Sequence, residues 1–429
     1  MQRWSVAHCA GGRAKNSQIP ELVRLRPMPH PFRAMLAICS DLDETPDRRV
    51  YWEIMRFLNT TEETAIGQGV GLEVGNSIYF DMPPEQFAYW STDDAGREMV
   101  RTLIRSGHVD CLHSYGDLAT ARHHAGRALE ELNRHDCRLE VWIDHGTAPT
   151  NFGEDIMRGH GDEPGHDAYH ADLTIGYGIK YVWRGRVTSI IGQDTQATLG
   201  GMVTWNHPVA SGRTFLKEMA KRRLARAGSA KYAMHGPNRT LRPTTLRDDS
   251  PVYEFMRCNP HWGGVGSCDQ GRHIGDVLAG EMLNRLVDRG GTCIVYTHLG
   301  KVADPRAPFS REAAMAFRRL AQDCHDGRIL VTTTRRLLGY RRAVREIAVD
   351  GVQEERGLRI FVNTGTDPHA LGKLSEADLD GLTFYVPDSR TTSVFVDGRE
   401  VAALTRNAPD CTGRPSVSLQ WPRLEFPQT

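Results

Sequence analysis

The stretch Met35–Glu44, MLAICSDLDE, decides the reading of this chain. Its apolar opening is long enough for one buried strand, and Asp41 and Asp43 follow where that strand ends. In an α/β barrel or an open parallel sheet, chemistry collects at strand C-termini. An acidic pair there has the pattern of a metal ligand beside a general base.

Outward from this stretch, strand and helix signals alternate for about 300 residues, the pattern of a parallel sheet or barrel. Helical spacing predicts helices over 51–58, 94–105, 118–133, 168–177, 274–288, 311–325 and 334–342. Strands are expected at 34–40, within 67–80 (Leu72 and Val74), and at 108–113, 138–143, 178–183, 230–234, 252–257, 292–297 and 328–332. From about residue 345 short strands separated by turns take over. Asp397-Gly398 between two β-rich runs is a hairpin signal. The expected fold is α/β: a distorted (β/α)7-type barrel over 33–344, an N-terminal arm over 1–32 and a small antiparallel β domain over 345–429.

Bulk composition narrows the function. Lys plus Arg is 53 and Asp plus Glu is 53, so net charge is zero, which argues against nucleic acid or an anionic membrane as the main partner. The nine cysteines form no CxxC pair and read as reduced, buried thiols. No stretch approaches the ~18 apolar residues of a membrane span, and the N-terminus has no signal-like apolar run. A cytoplasmic location is the expectation. The oligomeric state is left open.

Three strand ends carry capable side chains. The first supplies Asp41 and Asp43, the third His113 and Asp117, and a late one His298. An imidazole and two carboxylates suit a hydrolytic divalent metal, such as zinc, that keeps a position open for water. His145, in the turn Asp144-His145-Gly146, is expected to point into the same mouth. His166 and His170 have the i, i+4 spacing that would also suit a metal. Each residue also has an ordinary alternative: turn capping for Asp41 and Asp43, an N-cap for Asp117, a core histidine for His113.

The series of motifs resembles the NodB-type polysaccharide deacetylases, carbohydrate esterase family 4. SDLDE at 40–44 resembles that family's acidic pair, with one residue inserted; HSYGD at 113–117 resembles its HSxxH, with Asp117 for the second histidine; YTHLG at 296–300 resembles its late Leu-His motif. The family's Arg-x-Pro segment has no match, and the corresponding strand ends in DHGTAPTN at 144–151. The departures resemble a divergent WbmS-like branch, which shares SDLDE, LHSYGD, YHADL and THLGK over about residues 33–342. This resemblance implies a metal-dependent hydrolase that removes an acetyl group from an amino sugar or polysaccharide precursor in O-antigen or capsule metabolism. It implies Asp41 and His298 as catalytic, Asp43, His113 and Asp117 as metal ligands, and His145 and His170 as substrate contacts. Leu42 leaves open which acid is the base. Two alternatives stand beside it: a glycosidase pairing Asp41 or Asp43 with Asp117 or Asp144, and a degenerate barrel that binds a glycan or serves as a scaffold.

Overall fold

The structure is a computed structural model, and it describes residues 22–41, 45–196, 208–259, 270–302, 304–365 and 371–428. The chain divides into two compact units. One comprises Ala34–Leu338 with Arg423–Thr429, and the other Met1–Arg33 with Gly339–Pro422.

The larger unit is built on a curled, mainly parallel sheet. Its strands in chain order are β1 (Ala34–Ser40), β2 (Asn76–Ile78), β3 (Val109–His113), β4 (Val141–Ile143), β5 (Tyr181–Trp183), β6 (Val187–Thr188), β7 (Leu241–Thr245), β8 (Pro251–Phe255), β9 (Arg257–Cys258), β10 (Thr292–Thr297) and β11 (Ile329–Val331). The order across the sheet is β7-β8-β5-β4-β3-β2-β1-β10-β9-β6, with β11 also paired to β1. Only the β7–β8 pair is antiparallel. Met256 alone separates β8, which pairs with β5, from β9, which pairs with β10.

All seven residues of β1 are buried, as its unbroken apolar run requires. Alternation divides them between two faces. Ala34, Leu36 and Ile38 join a core with Ile54, Phe57 and Leu58 of the helix Arg48–Asn59. Full burial of each of those large side chains contributes about 1.5–3 kcal/mol. Asp47 starts that helix by accepting from the backbone N–H groups of Arg49 and Val50. Cys39 and Asp41 fall on the other, inner face.

Several sequence expectations are corrected. Leu72 and Val74 precede the second strand, which begins at Asn76 and opens with the polar pair Asn76-Ser77. In place of a strand over 230–234, Ala230–Tyr232 form a 3-10 helix, and the neighbouring strand is Leu241–Thr245. The helix expected over 274–288 is two, Ile274–Val277 and Gly280–Arg289. A helix over Pro208–Arg226 was not anticipated.

In the smaller unit, Ala348–Glu354, Gly357–Asn363, Thr392–Val396 and Arg399–Glu400 form one four-stranded sheet. Its middle pair, Gly357–Asn363 with Thr392–Val396, is parallel. Asp397 and Gly398, both at positive φ (47° and 83°), make the expected hairpin turn. A second four-stranded sheet includes Arg24–Leu25, paired with Thr383–Tyr385, so this part of the expected arm is a sheet strand. At the other end, the chain after Pro422 belongs to the larger unit, where the Leu424 N–H donates to Glu73 (3.0 Å) and Phe426 packs on Trp52.

Candidate active site

Strand register assembles the site. Ser40 pairs with Thr297 on one side and with Asn76 on the other. The next residue of each strand, Asp41, His298 and Ser77, therefore leaves the sheet at the same level. His113 ends β3 opposite Ile143, and His145 lies two residues beyond that partner.

Asp41 is the hub and is 2% exposed. Arg257 donates from Nη1 to Oδ2 and from Nη2 to Oδ1, both at 3.3 Å. Ser77 Oγ donates to Oδ1 at 3.3 Å. His113 Nδ1 stands 3.6 Å from Oδ1, and His298 Nε2 stands 3.5 Å from Oδ2. The two imidazole distances lie in ion-pair range, at or beyond the edge of a hydrogen bond. One carboxylate thus faces a guanidinium and has a different imidazole at each oxygen. Burial alone would raise the Asp41 pKa, but the Arg257 charge and then His113 and His298 hold it well below the usual carboxylate range.

Arg257 is itself fully buried. Its guanidinium lies over the Trp183 ring at 4.1 Å and near the Tyr296 ring at 5.1 Å, and those two rings stack on each other. Below this layer, Cys39 and Cys111 are hydrogen-bonded and buried. Burial would raise the Cys39 thiol, and the Cys111 contact with the Arg257 charge brings it below its ordinary value.

His113 stacks on Tyr79, with ring centroids 4.1 Å apart, and its Nε2 is 3.2 Å from the Tyr79 hydroxyl. The turn after His113 is conformationally demanding. Ser114 takes φ 43°, and Gly116 takes φ 99° where a Cβ would sit 2.1 Å from the Asp81 carbonyl oxygen. That turn carries Asp117, an exposed residue whose Oδ1 lies 2.8 Å from His145 Nδ1. The His145 hydrogen bond lowers the Asp117 pKa. The His145 and His113 rings meet edge to face at 5.0 Å.

The expected site residues therefore separate into groups. Asp41, His113 and His298 come together; Asp117 and His145 form a contact next to them. Asp43 lies outside the described residues. His170 does not join the cluster. It is fully buried, with Nδ1 2.8 Å from Thr174 Oγ1 and Nε2 2.9 Å from the Thr150 carbonyl, and burial pushes its pKa down to about 4. The helix that was to align His166 with His170 begins only at Ala171, and His166 instead stacks on His160. Asp144 is buried too. Its Oδ1 accepts from Trp142 Nε1 and the Phe152 N–H, its Oδ2 has no hydrogen-bond partner, and burial pushes its pKa up to about 7.

Arg257, Ser77 and Tyr79 were not anticipated. The available signal was a charged residue inside the apolar run VYEFMRC and a Ser-x-Tyr alternation at a strand end. Comparisons with protein-family models, curated proteins and solved structures return no match. Among the described residues, no group of three or more His, Cys, Asp or Glu side chains is arranged to hold a metal ion.

Proposed function

We propose that this protein is a hydrolase that removes an acyl group, normally acetyl, from an amino sugar or polysaccharide precursor in surface-polysaccharide metabolism. The observation that carries the proposal is the Asp41 carboxylate with His113 at one oxygen and His298 at the other, at the ends of parallel strands. The curled sheet is read as a distorted (β/α)7 barrel in which β8, Met256 and β9 act as one strand between β5 and β10.

Acyl transfer to water needs the water proton to be taken and the leaving amine or alkoxide to be protonated. Arg257 keeps Asp41 ionised near neutral pH and makes it a weak base, so its role is to orient the two imidazoles. His298 is then the imidazole that serves both needs, taking the proton of the attacking water and passing it to the leaving group, while His113, engaged by Tyr79 and Asp41, holds the carboxylate in place. His145, beside His113, and the exposed Asp117 form the substrate contact. A divalent metal, zinc in the first instance, would be held by Asp43, His113 and Asp117 and would supply an activated water. The described donors do not make that set, because Asp117 is engaged by His145 and His113 by Tyr79 and Asp41. No step is therefore routed through a metal.

The experiment is acetate release from acetylated amino sugars, nucleotide sugars and oligosaccharides, with metal content measured on the same sample. Wild-type turnover that falls about 10²–10⁴-fold in both Asp41→Asn and His298→Gln supports the proposal. Turnover indifferent to both overturns it. The near-complete burial of Asp41, His113 and Arg257 favours a second reading, a degenerate barrel that binds a glycan. Glycan binding without turnover on any of these substrates selects that reading.

A further inference from the structure

The helix Pro208–Arg226 is built inside out. At 100° per residue its inward side carries Ser211, Thr214 and Glu218, which are 0%, 5% and 1% exposed. All three are polar. Glu218 holds the helix down: it accepts from Thr188 Oγ1 (3.2 Å) and the Ser189 N–H (3.3 Å), pairs with Lys221 (2.8 Å), and lies 3.6 Å from His235. The opposite side carries Val209, Leu216 and Leu224, which are 87%, 68% and 45% exposed. At 100° per residue they fall within one stripe about 80° wide. Between and beside them stand Arg213, Lys217, Arg223 and Arg226, all exposed. The only acid of the helix, Glu218, points inward, so the exposed side carries basic charge alone.

A surface helix normally turns its apolar stripe to the core. Here the core side is polar and the solvent side is aliphatic and cationic. We infer that this exposed face docks on an anionic lipid surface, with Val209, Leu216 and Leu224 entering the headgroup–acyl boundary and the basic side chains meeting lipid phosphates. Two observations favour lipid over a protein partner. Three aliphatic side chains spread over about 22 Å of helix make a sparse stripe, far short of the ~800 Å² per partner of a stable protein interface. A bilayer needs no such patch, because aliphatic side chains insert one by one and each nearby Lys or Arg adds its own attraction. The zero net charge of the whole chain conceals this local concentration. The inference does not depend on the hydrolase reading.

The test is co-sedimentation of the full chain with phosphatidylcholine vesicles and with mixed phosphatidylcholine–phosphatidylglycerol vesicles. The expected result is binding to the mixed vesicles only, weakening as salt is raised. Leu216→Glu with Leu224→Glu, and separately Arg213→Glu with Lys217→Glu, should each lower the partition at least about tenfold. These positions are exposed, and circular dichroism verifies that both variants remain folded. Wild-type protein that stays in the supernatant with mixed vesicles at low salt overturns the inference. So does equal sedimentation of wild type and folded variants. A wild-type dimer that Leu216→Glu with Leu224→Glu converts to monomer, without vesicle binding, assigns the face to a second copy and also overturns it.

Discussion

Arg257 sets its guanidinium across Asp41 so that each carboxylate oxygen receives one N–H at 3.3 Å. Both side chains are at most 2% exposed. Taking one partner from a buried pair leaves the other charge uncompensated, which costs about 3–5 kcal/mol. Arg257→Met should lose that much in urea unfolding. Arg257→Met combined with Asp41→Asn should recover a large part of it, and a double-mutant cycle measures the coupling. Additive losses would mean that the two residues act independently.

Asp41 also sets an acid limit. Its folded pKa lies below the ordinary value of 3.8. The ion pair therefore contributes its full stability above about pH 4 and loses it as pH falls further. The urea unfolding midpoint of Asp41→Asn should depend less on pH below 4 than that of the wild type.

Asp144 acts with the opposite sign. Its folded pKa, about 7, stands above 3.8, so between those values the folded chain keeps a proton that the unfolded chain has released. Stability falls as pH rises through that window, by at most ~4 kcal/mol. Asp144→Asn keeps the oxygen that accepts from Trp142 and Phe152. It should match wild type near pH 4 and become the more stable of the two at pH 8, as unfolding curves at both pH values will show.

His170→Ala separates support from substrate contact. The ring is fully buried and both nitrogens are engaged, so truncation should cost about 2–4 kcal/mol in thermal or urea unfolding. The ring resonances of His113 and His298 should hold their positions in NMR spectra. Displaced His113 resonances would tie His170 to the site.

Tyr79→Phe keeps the ring against His113 and removes only the hydroxyl 3.2 Å from its Nε2. The loss of a neutral hydrogen bond is worth about 1 kcal/mol. Urea unfolding should show a loss of about that size. Tyr79→Ala, which also removes the stacked, buried ring, should lose more, about 3–5 kcal/mol.

The opening stretch shows how much of this was legible. Six apolar residues and a serine ahead of an acid located β1 and Asp41, because a fully buried strand leaves no other pattern. The helices Asp94–Arg105 and Arg311–His325 were readable to the residue, since one face is apolar and an Asp or Ser caps each start. Helix Pro208–Arg226 was not, because its polar side is buried and its aliphatic side is exposed, which defeats a search for a core-facing stripe. Arg257 escaped for a related reason. Its partner is 216 positions away, and only the strand register brings the two together. His170 misled because spacing shows which residues can share a face but not whether that face looks inward. The seven-residue β1 thus carried more information than any motif at its end.

The Trp183 ring lies 4.1 Å from the Arg257 guanidinium, within the same buried layer as Asp41. An indole that close to a fixed cation emits at a wavelength set by the local field. Any event that moves the guanidinium or neutralises the carboxylate will shift that emission. The protein holds eight tryptophans, so the shift is read as a difference spectrum against Trp183→Phe. The ion pair at the centre of the site thus comes with an optical reporter of its own, usable before any substrate is known.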